Sequence, residues 1–228
     1  VPNFTMNCQM LDAAYKAEVK KLIWLSSAVA YPPLANPAKE EQMFNDDPYD
    51  SYFPVGWLTR YIETLCRMYA TKLNRTMPIG VLRPTAIYGE YCDFDINTCH
   101  VLPALVRKVV ERQNPLKLYG NGDTKRDFIY AGDVVDACFR VLREINSYTE
   151  LNIGSGQLYS VKELLSLILE LDNCSDANVM YEPCDSPKAA LIAVDNTKAR
   201  KMIGFECKTL LRDGIAKTID WFKKTYKE

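Results

Sequence analysis

The chain has 228 residues, 48% of them hydrophobic and 25% charged, an ordinary balance for a globular protein. A net charge of -1 offers no sequence-wide basic field to nucleic acid or to an anionic membrane, and the apolar runs fall far short of the roughly 20 residues of a membrane span. Eight cysteines form no C-x-x-C pair and stand beside a single histidine, which argues against a zinc site and for a reducing, cytoplasmic compartment.

In chain order, residues 4–17 predict an amphipathic helix, with Met6, Met10, Leu11 and Ala14 near helical spacing. Residues 21–26 are a short apolar run and predict a buried strand. Residues 32–48, rich in Pro, Asn and Asp, predict a loop. A long helix over 55–73 carries Leu58, Ile62, Leu65, Cys66 and Tyr69 on one stripe, and a second buried strand follows at 79–82. After a turn at 88–90 come a helix over 100–111, a strand at 116–119, a tight turn at 121–123, a strand at 128–130 and a helix over 134–144. A strand at 151–153 ends in Gly154-Ser155-Gly156, and Ser160 with Glu163 makes a capping box for the next helix. A strand at 179–181 and helices over 197–202 and 210–226 complete the chain. Strands alternating with helices predict an α/β layered fold with a mainly parallel sheet.

Leu22 to Pro32 reads LIWLSSAVAYP, a buried strand that ends on two serines with Tyr31-Pro32 four residues after the second. Ligands of open parallel sheets collect at the carboxyl ends of strands, so a hydroxyl there can meet a reacting oxygen. Paired serines after a strand also read as an ordinary turn. Gly154-Ser155-Gly156 lacks the third glycine of a dinucleotide fingerprint, since Tyr159 stands there, and reads as a turn rather than a cofactor cradle.

The ordered set NFTMNCQMLDAAYKAEVK, SSAVAYP, RPTAIYG, CHVLPALVRK, KRDFIYAGDVVDA and LNIGSG is similar to the extended short-chain dehydrogenase/reductases, the NAD-dependent epimerase/dehydratase family acting on nucleotide-linked sugars. The stretch DFDINTCHVLPALVRK most resembles the GDP-L-fucose synthase branch. The resemblance implies part of a Rossmann-type doubly wound parallel sheet over residues 1–90, then a mainly substrate-binding α/β region over 91–228 with some segments returning to the sheet. It implies NAD or NADP as cofactor, a nucleotide-sugar substrate and epimerase or reductase chemistry. Ser27 matches the family's catalytic serine, and His100 an acid/base histidine, though a lone His also serves as a surface or capping residue. Arg126 matches an arginine that grips the nucleotide diphosphate, a job suited to a planar guanidinium, or is an exposed turn residue. Arg107 and Lys108 are candidates for the same diphosphate or for a solvated helix face. Asn3, Ser26 and Pro84 fall at positions the resemblance sets beside the cofactor.

The chain departs from the family in three places. The glycine-rich phosphate loop and the first β-α-β units are not in it, so the resemblance implies a segment upstream of Asn3. The family's Tyr-x-x-x-Lys pair falls on Val55 and Thr59, neither of which can move a proton as the family's pair does. Tyr52, three residues upstream, is the candidate stand-in, and Arg60 lies one past the lysine position. An asparagine of the R-x-x-N motif is replaced by Ala86. Two functions are therefore expected: an NAD(P)-dependent nucleotide-sugar epimerase or reductase, or a non-catalytic homologue that binds the nucleotide sugar. The long helix is a candidate homodimer surface through Trp57, Tyr61, Leu65 and Met68, with intrachain core as the alternative.

Overall fold

In this computed structural model, residues 2–183 and 192–226 are described; Cys184 lies outside them. The first half contains α1 (Pro2–Lys16), β1 (Leu22–Leu25), α2 (Phe53–Thr71), β2 (Ile79–Pro84), β3 (Ala86–Tyr88), α3 (Val101–Val110) and β4 (Leu116–Tyr119). The second half contains β5 (Lys125–Tyr130), α4 (Ala131–Glu144), β6 (Thr149–Ile153), β7 (Leu158–Ser160), α5 (Val161–Leu171), β8 (Val179–Glu182), α6 (Thr197–Ile203) and α7 (Leu211–Tyr226).

The apolar run that forms β2 is buried at every position because the strand is central and covered on both faces. It pairs in parallel with β1 on one side and β6 on the other. Helices α1 and α2 cover one face, packing Leu11, Ile62, Cys66 and Ala70 against Ile79 and Val81. On the other face α4 and α6 set Val134, Ala137, Val141 and Ile203 around Leu82 and Leu151. Each buried Val, Leu or Ile among them contributes about 1.5–3 kcal/mol relative to remaining in water. Gly80 permits the close approach of α4, since a Cβ there would overlap the side chain of Val141.

A second region is built on β3, β5 and β7, in which β3 runs parallel and β7 antiparallel to β5, with the parallel pair β4–β8 beside it. Its core joins α3, α5 and α7 through Leu102, Leu105, Val109, Leu164, Ile168, Ile215 and Phe222. The chain returns to the first sheet with α4, β6 and α6. Strands β3 and β7 are not evident in the sequence. At three residues each, they are too short for a two-residue alternation to stand out, and each adjoins a motif that reads as a turn. Helix α2 begins at Phe53 because Pro54 fits the first turn, where its missing N–H has no helical partner to lose.

Candidate active site

The carboxyl ends of β1 and β2 and the start of α3 surround one cavity of about 340 Å³, near the lower end of the roughly 300–1,000 Å³ range of small-molecule sites. Ser26, Ser27, Tyr52, Pro84, His100 and Arg126 all line it. Local structure explains the convergence. Ser26 continues β1 with its N–H on the Leu82 carbonyl at 2.7 Å. Ser27 then caps a 3₁₀ turn over Ala28–Ala30, its hydroxyl oxygen accepting from Val29 N–H at 3.3 Å. Tyr52 ends a 3₁₀ turn that leads into α2. His100 caps α3 without a side-chain bond, so the first turn of that helix, Val101 to Pro103, also faces the cavity. The partial positive charge of a helix N-terminus favours negative charge developing there.

The side chains of Tyr52, His100 and Arg126 make no hydrogen bond among the described residues, and Ser27 donates none. The carboxyl of Asp93 is held below its usual range by the Thr98 hydroxyl at 2.5 Å, then by Asp95 N–H, with His100 adding a smaller effect.

Behind this mouth lies a buried polar cluster. Arg83 Nη2 pairs with Glu63 Oε2 at 2.6 Å and Nε with Oε1 at 3.0 Å. Ser26 Oγ donates to Glu63 Oε1. Arg83 Nη1 also donates to Tyr31 Oη and to the Glu40 carbonyl, both at 2.8 Å, and Tyr31 donates to Asn152 Oδ1 at 2.6 Å. Asn152 N–H donates to Glu40 Oε1 at 2.9 Å. Burial alone would lower the Arg83 pKa, but Glu63 outweighs it and holds the guanidinium protonated. Burial raises the Tyr31 phenol and the Glu40 carboxyl above their ordinary values.

Several sequence expectations land elsewhere. Arg107 is bound to Glu111 and the Phe94 carbonyl, and Lys108 to the Lys117 carbonyl, so neither lines the cavity and the diphosphate role expected of them is not supported by their placement. Asn3, expected beside the cofactor, is exposed in the first turn of α1 and does not line this cavity. Val55 is 44% exposed, Thr59 is buried, and both lie outside the lining, whereas Tyr52 is within it. Arg60 is buried under Trp57 and Phe44, with Nε on the Ala30 carbonyl at 2.9 Å. Trp57, Tyr61 and Met68 are exposed, whereas Leu65 packs against the core between α1, α2 and the sheet. Sequence reasoning missed Asp127 and Thr85 as lining residues. The Asp127 carboxyl, raised by burial, accepts from Ser155 N–H at 2.9 Å, Ser155 Oγ at 2.6 Å and Gly156 N–H at 3.1 Å, which fixes the Gly-Ser-Gly turn beside the cavity. No alternation in the sequence marks it, since Asp127, Phe128 and Ile129 are buried in succession.

The residues present fit the nicotinamide end of a dinucleotide: hydroxyls of Ser26 and Ser27 and the rigid wall of Pro84 stand at adjacent strand ends. Among the described residues no glycine-rich strand-to-helix turn presents N–H groups to a pyrophosphate.

A profile of the NAD dependent epimerase/dehydratase family matches residues 2–154. GDP-L-fucose synthase 1 of Arabidopsis thaliana is 28% identical over 97% of this chain and 69% of its own length. GDP-L-colitose synthase of Yersinia pseudotuberculosis is 26% identical over 97% of this chain and 73% of its own. The crystal structure of UDP-glucose 4-epimerase from Thermotoga maritima, with UDP-glucose, superposes with a TM-score of 0.84 at 25% identity, covering 96% of this chain and 68% of that one.

Proposed function

The chain belongs to the NAD dependent epimerase/dehydratase family, and on that premise we propose that it is an NAD(P)-dependent epimerase or reductase of a nucleotide-linked sugar, nearest in kind to GDP-L-fucose synthases. One observation carries the reading: Ser27, Tyr52, His100 and Arg126 meet at a single cavity, Ser27 with its proton unclaimed and the other three side chains unbonded among the described residues. The cofactor, when bound, supplies hydride exchange with a sugar carbon. Ser27 donates a hydrogen bond to the sugar oxygen at that carbon and keeps its proton. Tyr52 gives or takes the hydroxyl proton, in place of the family's tyrosine. His100 moves a proton at a neighbouring carbon, and the N-terminus of α3 stabilises the negative charge that develops. Arg126 holds the diphosphate.

A second reading, binding of a nucleotide sugar without hydride transfer, is favoured by the lining itself, which contains no lysine among the described residues. Turnover of GDP-, UDP- and dTDP-linked keto sugars by the chain joined to the upstream glycine-rich segment that the resemblance implies, followed through NADPH or NADH consumption, separates the two. The enzyme reading expects turnover that falls at least a hundredfold in Tyr52→Phe and in Ser27→Ala. Binding of these sugars with no turnover would establish the second reading.

We further propose a homodimer through α1 and α2. The exposed side chains of Met6 and Met10 on α1 and of Tyr61 and Met68 on α2 support it. A monomeric mass in light scattering at micromolar concentration would count against it. The free thiols of the described cysteines suit a cytoplasmic enzyme, and no helix of the described residues is long and apolar enough to cross a membrane.

A further inference from the structure

Ser26 and Ser27 are adjacent and both line the cavity, but their hydroxyl protons are committed differently. Glu63 is paired through both carboxylate oxygens with Arg83, and an ionised carboxylate only accepts hydrogen bonds. In the contact between Ser26 Oγ and Glu63 Oε1 the serine is therefore the donor. A serine has one proton, so Ser26 retains only lone pairs for anything else. Ser27 is the reverse. Its oxygen accepts from Val29 N–H at 3.3 Å, and its proton has no acceptor among the described residues.

We propose that the two serines form a recognition pair of fixed, opposite polarity, with Ser27 donating to a ligand oxygen and Ser26 accepting from a ligand O–H or N–H. The pair selects a segment in which a hydrogen-bond acceptor lies beside a donor, as in a sugar ketone next to a hydroxyl, and disfavours two adjacent acceptors. Ser26 is then a specificity-determining residue and Glu63 a positioning residue that acts through it. The polarity is fixed because a hydrogen bond to a charged acceptor is roughly twice as strong as a neutral one. Glu63 cannot swing away either. Arg83 is itself tied to Tyr31 and to the Glu40 carbonyl, and Tyr31 to Asn152. The assignment of the ligand as a sugar rests on the function proposed above; the polarity does not.

Ser26→Cys and Ser27→Cys, made singly, report polarity without a ligand. In infrared difference spectra against the wild type, the S–H stretch of Ser26→Cys is expected at lower wavenumber, as a thiol donating to a carboxylate. That of Ser27→Cys is expected near the free-thiol position. Equal frequencies, or the opposite order, would overturn the proposal. Selection is read by calorimetry with UDP-glucose and its monodeoxyfluoro analogues, in which fluorine removes a donor and leaves a weak acceptor. One ring position is expected to cost the wild type about tenfold in affinity, the scale of one hydrogen bond. Ser26→Ala should bind that analogue and UDP-glucose alike, while Ser27→Ala should still discriminate. Glu63 keeps both its bonds to Arg83 in Ser26→Ala, so the variant retains the buried pair. Discrimination that persists in Ser26→Ala would overturn the assigned role. Failure of the wild type to bind UDP-glucose at all would tell against the sugar-nucleotide reading for that probe, while the S–H frequencies still decide the polarity.

Discussion

Two polar regions meet at the carboxyl ends of β1 and β2, and they differ in what their side chains are bonded to. Behind the cavity, Glu63, Arg83, Tyr31 and Asn152 are buried to 2% exposure or less, and each is tied to others of the cluster. At the cavity, Tyr52, His100 and Arg126 are bonded to no side chain among the described residues. Ser26 joins the two, its proton bonded to Glu63 in the first region and its residue lining the cavity, whereas Ser27 belongs to the second. A buried polar group must find its partners within the protein, because leaving one unmet costs about 1–3 kcal/mol. A group meant for a ligand must leave that capacity open. The same residue types thus serve as scaffold in one place and as recognition in the other.

The largest effect expected from breaking this contrast is on the scaffold side. Arg83→Ala leaves Glu63 as a buried charge without its partner, and should destabilise by about 3–5 kcal/mol in urea denaturation. A loss under 1 kcal/mol would mean that the cluster is hydrated. Asn152→Ala removes the acceptor of Tyr31 and a donor to the Ala38 carbonyl, and should cost about 1–3 kcal/mol by the same measurement.

Glu40 gives a pH-dependent version of the test. Burial raises its folded pKa against the opposing bond from Asn152 N–H. The stability linked to it is fully present below the unfolded value of about 4.3 and is lost as pH rises through the raised folded value. Glu40→Gln keeps an oxygen for Asn152 N–H and does not titrate. Its stability relative to wild type should therefore increase between about pH 4 and pH 7, measured by urea denaturation at each pH. A constant difference would remove Glu40 from the pH dependence.

At the cavity the contrast predicts small changes in stability. Tyr52→Phe, His100→Asn and Arg126→Ala should each lie within about 0.5 kcal/mol of wild type. A loss above 2 kcal/mol in any of them would assign that residue to the scaffold.

Much of this was legible in the sequence where a pattern was long or a motif intact. The apolar run of β2, the stripe on α2 and the capping box of Ser160 and Glu163 all read directly as the elements they form. Ser27, His100 and Arg126 were reached through motifs, and the structure brings them to one cavity. Lys108 was not separable from them by sequence: a basic residue on a helix looks the same whether it faces a ligand or reaches the Lys117 carbonyl at 2.8 Å. The buried cluster was also hidden. Ser26 and Glu63 lie 37 residues apart and Tyr31 and Asn152 lie 121 apart, and no local spacing encodes a bond made only by tertiary packing.

The most direct test of the account is a calorimetric titration of the chain with GDP- and UDP-linked sugars, repeated for Arg126→Ala and Lys108→Ala. The account predicts saturable binding of at least one nucleotide sugar, weakened about tenfold or more in Arg126→Ala and little changed in Lys108→Ala. Binding of none of them, or binding that depends on Lys108 and not on Arg126, would contradict it.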